Sequence, residues 1–218
     1  MLLARDVDVT QVSQDGLLPV YNIFQSEPIP SSTPHKALLE LYFSDAATLD
    51  LINLQTSFGL TLLTRCAAYG PDDAVQYLLD RGSSTEIQSK EQRWTPIFAA
   101  IAYNPCLNVL EKLLKYSSPN SLKHRDVRGW TPLHLAAATG KSDFVELLLE
   151  HGSDPDALSI ASDNEYVPEA MRNLSLTPAE VAKYAGPAAL EAYLDGMERS
   201  KRRAAIHRDE CNVGDYPK

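Results

Sequence analysis

The sequence predicts an all-α fold, a solenoid of about five stacked helix-turn-helix units with β-hairpin-like turns between them. Three observations carry this reading. A helix-start signature recurs as Thr95-Pro96, Thr131-Pro132 and Thr177-Pro178, and Thr61-Leu62 stands in the same register. Behind each start come two short apolar segments separated by Gly70, Asn104, Gly140 or Gly186. Helices that short do not persist alone in water, so each must bury its apolar face against a neighbour of the same kind. The third observation is the spacing: Thr61 to Thr95 is 34 residues and Thr95 to Thr131 is 36.

The clearest unit is Gly129-Trp130-Thr131-Pro132-Leu133-His134-Leu135-Ala136-Ala137-Ala138-Thr139-Gly140, continuing through Phe144-Val145-Glu146-Leu147-Leu148-Leu149-Glu150-His151-Gly152. Thr131 can accept a hydrogen bond from a free amide of the first turn, and Pro132 sits where its missing N–H costs nothing. Gly140 can close the first helix with a positive φ, and the second helix then places Phe144, Val145, Leu148 and Leu149 on one face. This stretch resembles an ankyrin repeat, and the resemblance extends over about residues 16–195. It implies a solenoid whose hairpin tips and first helices bind partners. It also implies that His134 hydrogen-bonds within the turn and helix-start region, a structural role.

Taken in order, residues 1–15 lack a helical period and read as an irregular lead-in. Gly16-Leu17-Leu18-Pro19-Val20-Tyr21-Asn22-Ile23-Phe24 aligns with 129–137 as a degenerate first repeat. Pro28 and Pro30 break the chain, and Ser32-Thr33-Pro34 restarts a helix through Phe43, with Asp45 capping another over 46–54. Two framings of 16–55 stay open. Residues 33–54 form a helix pair of their own, the preferred reading, or 16–43 form one repeat with a widened middle. Repeats follow near 56–89, 90–125 and 126–158. Asn104 replaces the interhelix glycine of the second of these, since Asn tolerates the left-handed conformation. The step from Thr131 to Thr177 is 46 residues, so about 13 are inserted relative to the usual period. The insertion at 158–174 has no sustained period and is expected to be a mobile surface loop, dispensable for folding. A more polar terminal repeat occupies 175–195, and 196–218 is a basic extension, helical over 197–208 and then frayed.

The formal net charge is −9, which argues against nucleic acid as a partner because phosphate binding needs a concentrated basic face. No apolar run reaches transmembrane or signal-peptide length, so a cytoplasmic or nuclear protein without membrane contact is expected. Cys66, Cys106 and Cys211 are isolated singles, which fits reduced, packed thiols and gives no metal site. No cofactor is implied. Residues 142–171 carry eight acids and no Lys or Arg until Arg172, whereas Arg199, Lys201, Arg202, Arg203 and Arg208 cluster near the end.

Aligning the repeats puts Leu60, Trp94, Trp130 and Leu176 in one column before the Thr, and Tyr69, Tyr103, Thr139 and Ala185 in another at the end of the first helix. By resemblance both columns face the concave side. The partner-binding residues this selects are Phe58, Glu91, Gln92, Arg93, Trp94, Tyr103, Arg128 and Trp130, rich in the types that dominate interface energetics. Packing across neighbouring hairpins is the competing role for the two Trp. The expected function is a protein–protein interaction module or scaffold, a monomer binding another protein, one with a basic rim, on its concave surface. The alternative is a small-molecule-binding or catalytic protein using the same groove through Arg65, His134 and Glu180. No catalytic motif supports it, and Arg65, in a column turned into the stack, has snorkelling or pairing as its competing role.

Overall fold

The computed structural model describes residues 10–24 and 35–212, with side chains throughout except at Ala47 and 206–212. The Pro28/Pro30 break and the Ser32-Thr33-Pro34 start lie outside the described residues. The chain divides into two compact units, Met1–Ser121 and Leu122–Lys218.

The first unit holds α1 (His35–Tyr42), α2 (Ala46–Leu49), α3 (Leu62–Tyr69), α4 (Asp72–Asp80), α5 (Pro96–Tyr103) and α6 (Leu107–Tyr116), preceded by a 3-10 turn at Pro19–Ile23. Helices α3 and α5 pack side by side as one layer, and α1, α4 and α6 follow one another as a second. Leu62, Leu63, Ile97, Phe98 and Ile101 fill the first layer, and Val75, Leu78, Leu110 and Leu113 the second, all essentially inaccessible. Each such side chain contributes about 1.5–3 kcal/mol of burial, which no helix of eight to ten residues gains alone.

Because α1 lies on α4 as α4 lies on α6, it takes the place of a second helix, and the 3-10 turn beside it takes the place of a first. That geometry favours the 16–43 framing over a self-contained pair at 33–54. The helix expected over 46–54 is a single turn, Ala46–Leu49.

The second unit holds α7 (Pro132–Thr139), α8 (Ser142–Glu150), α9 (Pro178–Ala185) and α10 (Pro187–Asn212), with a 3-10 turn at Glu169–Met171. Helix α7 packs on α9, and α8 on α10. The basic extension is therefore not a separate element: α10 runs through Gly196 to Asn212 without a break. Gly196 makes this possible. A Cβ there would meet the Ser142 carbonyl at 2.6 Å and the Val145 Cβ at 2.9 Å, so only glycine allows the two helices to cross this closely. Beyond the crossing, Arg199 pairs with Asp143 (2.8 Å) and Glu146 (3.2 Å), and Arg203 with Glu146 (2.9 Å) and Glu150 (3.0 Å). Part of the acidic stretch is thus engaged by the basic end of its own unit.

Among the described residues there is no strand, and the hairpin-like turns are held by a repeated set of bonds instead. A polar side chain accepts from a backbone N–H four or five residues on, Ser13 from Leu17, Thr56 from Leu60, Ser89 from Trp94 and Asp126 from Trp130, and across the insertion Ser159 accepts from Leu176. Neighbouring turns are joined by backbone bonds, Ser57 N–H to Asp15 O (2.8 Å) and Lys90 N–H to Phe58 O (2.9 Å) in the first unit and Ile160 N–H to Gly129 O (3.3 Å) in the second.

Asn104 is not left-handed: its φ and ψ are −89° and 127°. Its role is a side-chain one. Nδ2 donates to the Ala67 and Gly70 carbonyls at 3.0 Å each, and Oδ1 accepts from Cys106 N–H, which ties the end of α5 to the end of α3. The 158–174 insertion is not a bare surface loop either. Val167 and Met171 are buried with Trp130, Leu176 and Val181 in one apolar cluster.

Candidate protein-interaction face

In the first unit the outer side of the α3–α5 layer carries an aromatic cluster. Tyr69, the last residue of α3, stacks on Tyr103, the last of α5, with ring centroids 5.5 Å apart and planes at 29°. Trp94 lies 5.8 Å from Tyr103 and 6.4 Å from Phe98. The spacing of successive repeats makes this arrangement: equivalent residues of adjacent first helices lie beside one another, so two aromatic positions in register become a ladder. Tyr103 is 52% and Tyr69 36% exposed. Burial pushes the Tyr69 hydroxyl upward, neighbouring Tyr103 adds to this, and the Arg65 cation opposes it. Such a cluster presents ring faces and edges that accept apolar groups or cations, and each pair is worth about 0.5–1.5 kcal/mol beyond its area.

Arg65 shows one cation already there. Its guanidinium lies 5.7 Å from the Tyr69 ring centre while its Nε–H donates to the Phe24 carbonyl at 2.6 Å. It is a brace between α3 and the N-terminal repeat.

The turn before α5 supplies the other candidates of this unit. Phe58 is 56% exposed at the tip of the neighbouring turn, and Glu91 and Arg93 are exposed with Gln92 and Trp94 half-buried. Arg93 occupies the place that Gly16, Gly59 and Gly129 hold in the other turns, and like them it is left-handed: φ is +56°, against +74°, +76° and +73°. A side chain is disfavoured there, by about 1–2 kcal/mol. Local strain of this kind collects at functional positions.

The second unit treats its counterparts differently. Trp130 is only 4% exposed, so it packs and does not present its face, contrary to the expectation for a binding residue. The cover is the insertion, through Val167 and Met171. Arg128 lies 4.1 Å over the Trp130 ring and is ion-paired to Asp126 at 2.5 Å, so it clamps the turn. Asp126 was not legible as a functional position, yet it is buried and its carboxylate accepts from the N–H groups of Arg128 (2.9 Å) and Trp130 (3.0 Å). The signal for it was the column Ser13, Thr56, Ser89 and Asp126, each a short polar residue shortly before the next helix start, with Ser159 as its counterpart ahead of the insertion.

His134 and Glu180 are helix-start residues. His134 is fully buried, and its Nδ1 accepts from Thr131 N–H (3.2 Å) and meets Thr131 Oγ1 (2.7 Å) while its Nε2 lies 2.9 Å from the Leu176 carbonyl. With Nδ1 an acceptor, the ring proton sits on Nε2. Burial, more than any charge, lowers its pKa to about 4. Both nitrogens are engaged, which removes His134 from any groove chemistry. Glu180 accepts from Thr177 N–H (2.8 Å) and Oγ1 (2.9 Å), and these bonds lower its pKa. The Arg65, His134 and Glu180 set is therefore one brace and two capping boxes. Among the described residues no group of three or more His, Cys, Asp or Glu is placed to hold a metal ion, and no helix is long and apolar enough to cross a membrane.

Comparison with known proteins agrees with this architecture. The family described as ankyrin repeats (3 copies) matches residues 33–123 and 63–159. The chain is 35% identical over 95 residues to human ankyrin repeat and SOCS box protein 3, covering 43% of this chain and 18% of that protein. It is 25% identical over 148 residues to a putative ankyrin repeat protein of Fowlpox virus, covering 67% of this chain and 40% of that one. The chain thus spans well under half of these curated relatives. Among solved structures, a chain of the complex between the Bd0816 predatory endopeptidase of Bdellovibrio bacteriovorus and immunity protein Bd3460 matches with a TM-score of 0.61 at 17% identity, covering 88% and 87% of the two chains. That likeness speaks to the fold.

Proposed function

The chain belongs to the ankyrin-repeat family, and from that premise we propose that it is a protein-interaction module whose binding face is the aromatic side of the α3–α5 layer. Ankyrin repeats generally bind other proteins, and the Tyr69, Trp94 and Tyr103 cluster is the observation that carries the assignment here. Tyr and Trp present much area at little conformational cost, and a rigid first-helix layer holds them preorganised. Phe58, Glu91, Gln92 and Arg93 form the rim of the face. The partner is a protein that offers apolar anchors and a basic rim. The basic rim answers the exposed Glu91 at the edge of this face. We place its work, as a monomer, in the cytosol or nucleus, in keeping with the buried Cys66, whose thiol burial holds well above its usual pKa and thus unreactive.

The test is site-specific photocrosslinking in cells, with benzoylphenylalanine at position 103 or, on the second-helix layer, at position 116. A discrete adduct from 103 that is absent from 116 supports the face. Adducts from 116 alone overturn it.

A further inference from the structure

The insertion behaves as something other than a connection. It is too long to be needed for joining two repeats, and segments of this length without regular structure are commonly functional. Its two ends are pinned by turn bonds, Ser159 N–H to Leu176 O (2.8 Å) and Leu176 N–H to Ser159 Oγ (2.9 Å). Between the ends Ile160 N–H reaches out to Gly129 O (3.3 Å), and further hydrogen bonds run within the segment: Asn173 N–H to Ser162 O (2.9 Å), Met171 N–H to Pro168 O (2.8 Å) and Arg172 Nε–H to Val167 O (3.2 Å). It is a preformed piece seated by two apolar side chains, Val167 and Met171, on Trp130, Leu176 and Val181. In the first unit the residue equivalent to Trp130 is Trp94, which is half-buried in the exposed aromatic cluster.

We propose that residues 158–174 form a strap that occupies the second unit's own docking surface as an intramolecular ligand, so that a partner reaches Trp130 only by displacing Val167 and Met171. The inference rests on the reading that first-helix faces of this chain bind proteins. The competing segment has the strap's chemistry: two apolar side chains four residues apart, the first in a bend and the second closing a 3-10 turn, as Val167 and Met171 are, with carboxylates facing solvent at the places of Glu165 and Glu169. A short tether holds its segment at an effective concentration on the order of millimolar. A strap whose free affinity is about 100 μM therefore stays seated roughly nine-tenths of the time, while a partner of micromolar affinity still displaces it.

The experiment uses the full chain with Trp94→Phe, which leaves Trp130 as the only tryptophan. In one form residues 163–173 are replaced by a short Gly-Ser linker, and the probe is a labelled synthetic peptide of residues 161–175. The strap-replaced chain should bind the peptide with a dissociation constant of about 10–100 μM, and the intact chain at least about tenfold more weakly. Binding should shift Trp130 emission back to the blue. The peptide carrying Val167→Ser and Met171→Ser should not bind. A strap-replaced chain that keeps its helical melt but ignores the peptide overturns the proposal. So does one that loses its fold, for then the insertion is a structural staple. Neither failure touches the face at Tyr103, which is read in the first unit by its own variant.

Discussion

Replacing Arg93 by Gly should stabilise the protein and weaken its function at once. At φ +56° Arg93 holds a backbone conformation that the other turns give to glycine, and its Cβ costs about 1–2 kcal/mol there. Glycine removes that cost but loses about 0.5–1 kcal/mol to the greater freedom of the unfolded chain. The net gain is about 0.5–1 kcal/mol, which for a chain of 218 residues raises Tm by roughly 1–4 °C. Arg93→Ala separates the two effects, because it keeps the left-handed cost and loses the guanidinium. Thermal melts of the three chains, followed by circular dichroism, give the stability order Gly above Arg, with Ala close to Arg. Titration with the crosslinked partner should show both variants weakened. A Tm for Arg93→Gly at or below the parent would refute the strain argument, and unchanged binding by both variants would remove Arg93 from the rim.

Two further outcomes follow from the packing. His134 has its pKa lowered to about 4 from an ordinary value near 6.5, so between those values the unfolded chain takes up a proton that the folded chain refuses. Its contribution is complete above pH 6.5 and is lost as pH falls toward 4, by up to about 3 kcal/mol; urea midpoints across pH 4–7 should show this slope, flattened in His134→Gln. Gly196→Ala in the interior of α10 would ordinarily gain about 0.5–1 kcal/mol, but the new Cβ meets the Ser142 carbonyl at 2.6 Å. A loss of about 1–3 kcal/mol in a urea melt is therefore expected, and a gain would show that α8 and α10 do not cross so closely.

The fold was legible because its signals are local and repeated. Thr-Pro starts, Gly140 with its φ of +67° and the 34–36 residue spacing each constrain the backbone by themselves. The misreadings came where a residue's role depends on a distant one. Asn104 reads as a left-handed residue, but its bonds reach Ala67 and Gly70 in another repeat. The insertion reads as solvent-exposed because it has no period. Yet two apolar side chains suffice to seat it, and two do not make a period. For the same reason Trp94 and Trp130 are indistinguishable in sequence, and only what covers them separates an exposed aromatic from a buried one. The aromatic ladder itself was visible as two columns, Trp94 with Trp130 and Tyr69 with Tyr103, though the half that stays open was not.

The most direct test of the binding face is the dissociation constant of the partner trapped at position 103, measured for the parent chain, Tyr103→Ala and Tyr116→Ala, with Tm recorded for each. Tyr103 is 52% exposed and Tyr116 42%, so neither truncation empties the core. If the α3–α5 face is the interface, Tyr103→Ala should weaken binding by about 5–30-fold, equivalent to 1–2 kcal/mol, at nearly constant Tm, and Tyr116→Ala by less than twofold. Equal affinity for Tyr103→Ala and the parent, with the loss appearing in Tyr116→Ala instead, would contradict the assignment.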